Sequence, residues 1–564
     1  MSTKSDTAGT AAGSHQATWQ GPGLGRRELI LTVAGVMLAM FLAALDQTIV
    51  GTAMPRIIGD LGGFDRYTWV TTSYIVASTS VVLLIGRLSD IYGRKWLYIV
   101  CIVIFLVGSV LSGISQTMNQ LIAFRALQGI GAGGMMGLSF ATMGDLFAPA
   151  DRGKFQGLIA AMFGVSSVIG PSLGGFLTDS LSWHWVFFVN IPLGIPVVLG
   201  FIRFFPRPGP RVGTPRVDYP GAAAMVMAIV PILIGISWVG VHHDEWNSPL
   251  AIGLLAFGAA MTAAFIMIEL RTADPILPFQ LFKDRIVAVS LAVSFVTGFA
   301  MFGAIVFIPL FFQGVLGFSA SASGGFTTPM SLGVVAGATL SGQLLSRTGG
   351  HYRIQGLAGL AIMAVGAGLL TRLTSTTSQG LALTYAIVIG FGMGTSFPTF
   401  TIAIQNAVPF KFMGVATSAA QFFRTIGGSL GLAILGAYMV SNFSAGFEEK
   451  IPPAARTQLG SERVDDLSHN PTALVNPEGQ TALRDELSPL GDSSGATYEG
   501  AVSAMKIALA DAISAVFMVA LIVIVIALVL TVFLKEVPLQ KRGGPTASKP
   551  ASPDPSGAPP AGAH

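Results

Sequence analysis

Two oppositely charged side chains stand inside long apolar segments of this sequence. Asp46 lies in the apolar stretch 29–53, and Arg125 lies in the apolar stretch 118–146. An ionisable residue within a membrane-length segment is costly and indicates a functional site by default. Each is about seven residues from one end of its segment, hence about 10 Å deep at ~1.5 Å per residue. We predict that Asp46 binds and releases protons while Arg125 responds to its charge. The structural alternatives are a helix cap, a fixed ion pair or a hydrogen-bond hub.

The composition indicates what kind of element must hold these charges. Of 564 residues, 52% are hydrophobic and only 11% are charged, against about 25% charged in a typical soluble domain. A spanning helix needs about 20 mostly apolar residues. We therefore predict an all-α, polytopic membrane protein with fourteen transmembrane helices. They cover residues 29–53, 69–89, 96–115, 118–146, 155–177, 185–205, 219–240, 249–270, 286–312, 323–345, 354–372, 380–407, 413–440 and 507–534.

The distribution of basic residues predicts the orientation. If the N-terminus is cytoplasmic, the cytoplasmic segments hold 22 of the 32 lysines and arginines, whereas the short outer loops hold only three. Cytoplasmic loops carry such an excess in membrane proteins. An even number of helices places both termini on the same side, so we expect both to be cytoplasmic. The natural location is then the inner (plasma) membrane of a bacterium.

A charged segment follows the second predicted helix. It reads Gly86-Arg-Leu-Ser-Asp90-Ile-Tyr-Gly93-Arg94-Lys95. The glycines permit a tight turn and close helix packing, and Asp90 and Arg94 could latch one helix end to another. The segment fits the pattern G-x-L-x-D-x-x-G-R-K, and it resembles the loop that major facilitator transporters carry at this place. The resemblance implies a role in an inner gate.

Two further segments resemble the fourteen-helix drug:proton antiporter branch of the major facilitators. The first is 45–55, which contains Asp46 and has Gly51 where that branch usually has asparagine. The second is 121–133, which contains Arg125 and Gln128 in the pattern R-x-x-Q-G-x-G. In the resembled fold, helices 1 and 4 both line the central cavity. The resemblance therefore implies that Asp46 and Arg125 face each other.

A glycine- and proline-rich segment in the fifth predicted helix resembles the motif G-x-x-x-G-P-x-x-G-G of exporters. Its matching residues are Gly170, Pro171, Gly174 and Gly175, and Ser166 stands where a glycine is usual. Proline removes a helical hydrogen bond and kinks the helix, while glycines let a neighbouring backbone approach. We predict a hinge that supports export, although a packing helix would show the same composition.

A weak internal repeat suggests the domain organisation. The segment 342–349 echoes 86–93, with Ser346 in place of the acid. This similarity aligns predicted helices 1–6 with predicted helices 9–14 and leaves predicted helices 7 and 8 as a central inserted pair. The predicted units are a disordered N-terminus 1–28, a six-helix bundle 29–206, a linker 207–218, the inserted pair 219–271, a second six-helix bundle 286–534 and a disordered tail 535–564. The extracytoplasmic loop 441–506 is polar, and we expect it to be weakly folded.

Three more polar residues are candidates within or beside the membrane segments. Gln313 and Arg424, together with Gln128, are placed in a substrate cavity by position. Arg424 could hold a substrate anion or a carboxylate, and a structural role is the alternative. Asp145 ends the fourth predicted helix, where it could pair with Arg94 in the gate rather than carry protons.

Several function classes are excluded or disfavoured by the sequence. The single cysteine, Cys101, rules out an intrachain disulfide and a thiolate metal cluster. The histidines form no metal-binding pattern, and the Walker A pattern for ATP is missing. The net charge of +4 resides in short loops and does not indicate nucleic-acid binding. We therefore expect no enzyme activity, no cofactor and no metal.

The resemblance and the residues together predict a function. We expect a proton-driven exporter of small hydrophobic drugs or antibiotics, neutral or cationic, which works as a monomer in the lipid bilayer by alternating access. Two alternatives of the same fold stay open. One is a lipid or siderophore exporter, and the other is a proton symporter.

Overall fold

The computed structural model describes residues 25–62, 66, 68–147, 149–205, 218–242, 248–318, 320–409, 412–469 and 494–538. These residues form helices joined by short turns. In chain order the helices are α1 (Arg26–Leu61), α2 (Thr68–Tyr92), α3 (Arg94–Gly113), α4 (Met118–Leu146), α5 (Pro149–Ser180), α6 (Trp185–Phe188), α7 (Asn190–Phe204), α8 (Tyr219–His242), α9 (Pro249–Arg271), α10 (Arg285–Leu310), α11 (Ala320–Thr348), α12 (Tyr352–Leu370), α13 (Gln379–Ala407), α14 (Met413–Lys450), α15 (Pro453–His469) and α16 (Ser494–Val532).

The predicted membrane-spanning architecture is confirmed. Thirteen helical stretches within the described residues are long and apolar enough to cross a bilayer, with α6 and α7 counted as one stretch. The remaining predicted helix, 323–345, corresponds to α11, which is 29 residues long but richer in small polar side chains. It packs lengthwise between α5 and α13. Long, evenly apolar helices of this kind are buried on all sides, partly by lipid and partly by one another.

Two six-helix halves have separate apolar cores. In the first half, side chains of α1 to α7 form adjoining clusters that include Met40, Phe105 and Phe187. In the second half, α10 to α14 and α16 form one cluster around Phe312, Met363 and related residues. The chain therefore folds as two bundles of helices, as the internal repeat predicts.

The inserted pair α8 and α9 packs against both halves. Met225 and Leu233 on α8 share an apolar cluster with Leu83 on α2, Leu291 on α10 and Ala420 on α14. We call this the junction cluster. Because α2 and α14 belong to different halves, the inserted pair lies beside the seam between them.

Two glycines show the repeat in backbone geometry. Gly93 separates α2 from α3 with a φ of 91°, and Gly349 follows α11 with a φ of 77°. A residue with a side chain rarely adopts such positive φ angles. Equivalent turns thus occupy equivalent places in the two halves, although Ser346 replaces the acid in the second.

The expectation for residues 441–506 is wrong in the parts that the structure describes. Helix α14 continues to Lys450, α15 covers Pro453–His469, and α16 begins at Ser494. Phe447, Val464 and Leu467 are buried in the core of the second half. The polar average of this segment hid an amphipathic pattern, whose apolar members pack onto the extended ends of α14 and α16. The linker 207–217 and most of the predicted disordered tails lie outside the described residues.

Candidate functional site

Asp46 and Arg125 meet in the middle of the first half. Nη1 of Arg125 lies 2.5 Å from Oδ2 of Asp46. The other carboxylate oxygen, Oδ1, accepts hydrogen bonds from Nε2 of Gln128 at 2.8 Å and from Nδ2 of Asn190 at 3.0 Å. Arg125 also donates to Oε1 of Gln128 at 2.8 Å. The carboxylate on α1 therefore organises side chains from α4 and α7.

This cluster is closed to solvent. Asp46, Gln128 and Asn190 are 0% exposed, and Arg125 is 1% exposed. The guanidinium carbon of Arg125 lies 4.3 Å from the ring centre of Tyr74, which adds a cation–π contact. A proton could reach Asp46 only after the surrounding helices move.

Small residues on α4 allow Arg125 to lie so deep. A Cβ at Gly129 would collide with the backbone of Tyr74 on α2, and one at Gly131 would collide with the backbone of Phe105 on α3. A Cβ at Gly133 would likewise collide with the Ser78 carbonyl. Close backbone contact of this kind is how small residues drive helix packing in membranes. The glycines after Arg125 in the sequence thus draw α2 and α3 around it.

The proline-glycine motif of α5 packs against the Asp46 segment of α1. A Cβ at Gly170 would collide with Oγ1 of Thr48, and one at Gly174 would lie 2.8 Å from the Ile49 carbonyl oxygen. Pro171 lies inside the helix between them. Gly175 has nothing within 4 Å of its Cβ position, so it faces away from this contact. Movement of α5 at the proline would therefore displace the part of α1 next to Asp46.

A second charged cluster lies where α2 ends and α3 begins, which we call the gate end. Arg94 bonds Asp145 through Nε at 2.7 Å and through Nη2 at 3.2 Å. Its Nη2 also lies 3.0 Å from Oδ1 of Asp90. Asp90 in turn accepts the backbone N–H groups of Gly414 at 3.1 Å and Val415 at 3.0 Å. These N–H groups open α14, so a carboxylate of the first half caps a helix of the second.

The remaining residues of the gate segment hold neighbouring helices. A Cβ at Gly86 would collide with the side chain of Ser418, so α2 and α14 touch there. Nζ of Lys95 donates to the carbonyls of Ile202 at 2.7 Å and Phe205 at 3.2 Å, which are carbonyls at the end of α7. Cations are favourable at that end of a helix.

Arg152 belongs to the gate although its sequence position gave no sign of it. It is 1% exposed and donates to the carbonyls of Gly144 at 2.6 Å, Phe147 at 3.0 Å and Gln405 at 3.4 Å. Burial lowers the pKa of its guanidinium to about 10, and the charge of Asp145 opposes that shift. The side chain stays charged at neutral pH and bonds both halves.

The hydrogen bonds between the halves lie on one side of the molecule. Among the described residues they run from the gate end to the contact between Ser167 on α5 and Ser331 on α11, whose hydroxyl oxygens are 3.1 Å apart. The halves are thus latched at the gate end in this conformation.

Gln313 and Arg424 do not join the Asp46 cluster. Gln313 lies in a single π-helical turn, Phe311–Val315, that ends α10. Arg424 lies on α14, 8% exposed, with its guanidinium carbon 4.7 Å from the ring centre of Phe397 on α13. Within the described ranges, no three His, Cys, Asp or Glu side chains are grouped to hold a metal ion.

Two residues of the Asp46 cluster were missed by sequence reasoning. Asn190 stands in a segment, 183–192, whose resemblance to the antiporters is visible in the sequence without indicating any role. Tyr74 is one aromatic among many in an apolar helix. A buried asparagine in an apolar helix is a signal of its own, because its amide must find hydrogen-bond partners.

Comparison with known proteins settles the family. The model of the Major Facilitator Superfamily matches residues 36–432, a stretch that holds the Asp46 cluster, the gate end and Arg424. The chain belongs to the major facilitator superfamily. It is a polytopic membrane transporter by family and fold, and not an enzyme.

Named relatives of this major facilitator are multidrug transporters. It is 38% identical over 519 residues to the multidrug transporter protein MdtP of Bacillus subtilis (strain 168), a match that covers 92% of this chain and 94% of that one. It is 39% identical to multidrug resistance protein 3 of the same organism, over 73% of this chain and 80% of that one. The solved major facilitator proton:xylose symporter XylE has the same fold with a TM-score of 0.56 at 13% identity, over 91% of this chain and 98% of that one.

Proposed function

We propose that this major facilitator exports small hydrophobic drugs in exchange for protons. The observation that carries the proposal is the enclosed Asp46 carboxylate, bonded to Arg125, Gln128 and Asn190. The named relatives, MdtP and multidrug resistance protein 3, support drugs as the cargo. The proline-glycine motif of α5 supports export over import.

Asp46 changes its bonding when it takes a proton. A protonated carboxyl group no longer attracts the guanidinium of Arg125 as an ion, so the two side chains can separate. Arg125 then stands buried without a counter-ion, which is costly and favours a conformation that gives it water or another partner. Proton binding is thereby linked to the rearrangement of α1 and α4.

The gate end supplies the other step of alternating access. We place it at the cytoplasm, because the basic residues of the sequence concentrate on that side. Release of substrate outside and its capture inside require the bonds of Asp90 and Arg152 across the halves to break and re-form. The lipid bilayer is the medium of the cycle, and we propose that one chain suffices for it.

The test uses purified protein in proteoliposomes with an imposed proton gradient. We expect the wild type to move a hydrophobic drug such as ethidium against its concentration gradient and to release protons in exchange. We expect Asp46→Asn to abolish both the drug transport and the proton release. Glu28→Gln, at an exposed acid of the same helix, is the control and should transport normally. Drug-induced proton release at the wild-type level in Asp46→Asn would refute the proton-coupling role.

One observation favours a second candidate, an exporter of lipid-like molecules. An open groove of about 530 Å³ lies along α1 and α5, and all its lining residues are apolar, with Leu29, Met37, Phe155 and Met162 among them. A fluorescent phospholipid added to the same proteoliposomes distinguishes the two. Transport of that lipid with no transport of ethidium would favour the second candidate.

A further inference from the structure

Arg424 is a buried cation without an acidic partner among the described residues. None of the ion pairs within those residues includes Arg424, and the buried ones link Asp46 with Arg125 and link Asp90 and Asp145 with Arg94. Its guanidinium donates no hydrogen bond to any described residue, and it lies over the face of the Phe397 ring. A buried arginine normally has an anion or several carbonyls around it.

The main chain of Arg424 is held while its side chain is not. A Cβ at Gly298 on α10 would collide with the carbonyl oxygen of Arg424, and a Cβ at Gly427 would collide with the Phe295 carbonyl. The backbone of α14 is therefore pressed against α10 at Arg424 and about one turn beyond it. The side chain projects from this contact toward α13, where Phe397 lies.

The nitrogens of Arg424 remain within reach of a ligand. Nε of Arg125 is sealed from solvent without a hydrogen-bond partner, whereas no nitrogen of Arg424 is sealed in this way. The residue as a whole is nevertheless 8% exposed. Its guanidinium nitrogens are thus not sealed off completely, although the residue does not reach the outer surface as an exposed arginine would.

The position of Arg424 along α14 places it beyond the hydrogen-bonded gate end. Ala420 is the last buried α14 residue of the junction cluster, and Arg424 follows one helical turn later. At ~1.5 Å per residue it stands about 16 Å from the start of α14, deep within the membrane. It therefore lies between the closed gate end and the half of the seam where no described hydrogen bond joins the two bundles.

The described carboxylates inside the first half and at the gate end are already paired. Both oxygens of Asp46 are occupied by Arg125, Gln128 and Asn190. The carboxylates of Asp90 and Asp145 are bound at the gate end. A partner must come from outside the described protein residues, and a transported molecule is the candidate that the location supplies.

We propose that Arg424 and Phe397 form an anion subsite, which binds the carboxylate of an amphiphilic aromatic substrate. The guanidinium pairs with the carboxylate through two N–H groups, and the ring of Phe397 packs against the apolar body. This inference rests on the proposed function and extends its substrate class. Neutral or cationic drugs, which the sequence favours, would bind without this subsite, whereas the unpaired cation adds affinity for a substrate that carries a single negative charge.

Matched probes test the subsite in detergent-solubilised full-length protein. Pyrenebutyric acid, its neutral primary amide and the corresponding pyrenebutylamine share one apolar body, and fluorescence anisotropy reports their binding against empty micelles. We expect the wild type to bind the acid at least ~10-fold more tightly than the amide, and the amine most weakly. Equal binding of the three probes, or preference for the amine, would overturn the proposal.

Substitutions assign the preference to one residue. Arg424→Gln should weaken binding of the acid about 10-fold and change binding of the amide less than about 2-fold, while Arg424→Lys should keep most of the preference. Arg372→Gln, at an exposed arginine after α12, is the matched control and should change neither. Equal losses for acid and amide in Arg424→Gln would mean a structural role and refute the subsite.

The wild-type probe series decides the question even if Arg424→Gln does not fold. A flux measurement separates this proposal from the exporter proposal. Acid-selective binding in a protein that moves no probe against a proton gradient would overturn the exporter proposal and leave the subsite intact. Proton-coupled export of ethidium without acid-selective binding would overturn the subsite and leave the exporter proposal intact.

Discussion

The carboxylate of Asp46 on α1 and the guanidinium of Arg125 on α4 form an ion pair, 2.5 Å apart, that is closed to solvent. Removing one partner of such a pair leaves the other charge buried and typically costs 3–5 kcal/mol. The pair therefore stabilises the first half in this conformation. Under the proposed function, protonation of Asp46 would weaken the pair.

A double-mutant cycle measures how strongly Asp46 and Arg125 are coupled. We expect Asp46→Asn and Arg125→Gln each to lower the rate of proton-coupled transport strongly, and the double variant to be no worse than either single variant. The coupling energy in thermal stability should exceed ~1 kcal/mol, because the second change removes the uncompensated charge. Thermal unfolding of the four purified proteins supplies the second reading. Additive losses in both measurements would show that the two residues act separately.

The sequence located both residues because charge is rare in apolar helices, and equal depth follows from a helical rise of ~1.5 Å per residue. That the two side chains face each other was implied by the resemblance to the major facilitators. The sequence could not place Asn190, since its distance from Asp46 depends on how α7 packs against α1 and α3. The sequence did not indicate the position of Arg152 for a related reason. It stands in a loop-like, charged segment, and only the tertiary fold brings it to the carbonyl of Gln405. Local charge patterns locate ionisable residues within helices, whereas contacts between helices decide which of them are buried together.

Two glycines of the proline-glycine motif can be compared within α5. Gly170→Leu should slow transport at least ~10-fold, because its side chain would meet Thr48 and press α5 away from the Asp46 segment. Gly175→Leu is the matched control and should transport at a near wild-type rate, since nothing lies within 4 Å of its Cβ position. Initial rates of ethidium efflux from proteoliposomes give the measurement, and equilibrium binding of ethidium should change little in both variants. Equal effects of the two substitutions would remove the basis for a specific contact.

The gate end should loosen when the cap on α14 is weakened. Asp90→Asn keeps the size of the side chain but removes the charge that faces the Gly414 and Val415 N–H groups and Arg94. With Cys101 replaced by alanine, a single cysteine introduced in place of buried Met413 can report opening through its reaction with a membrane-impermeant maleimide. We expect Asp90→Asn to raise the labelling rate several-fold, and the exposed-site control Glu28→Gln to leave it unchanged. A labelling rate that is unaffected by Asp90→Asn would mean that this carboxylate does not hold the gate.

The segment after α14 yields the last prediction, because the structure revises the expectation from the sequence. A weakly folded loop could be exchanged for a short Gly/Ser linker at no cost to stability. Phe447, Val464 and Leu467 are instead buried in the core of the second half, and each buried side chain of this size contributes about 1.5–3 kcal/mol. Replacing residues 446–500 with such a linker should therefore lower the thermal unfolding temperature by several degrees and reduce export. Val464→Ala and Leu467→Ala should each reproduce part of the loss, whereas Glu462→Ala, at an exposed position of α15, should not. An unfolding temperature unchanged by the linker would mean that α15 does not stabilise the bundle, and the original expectation would then hold.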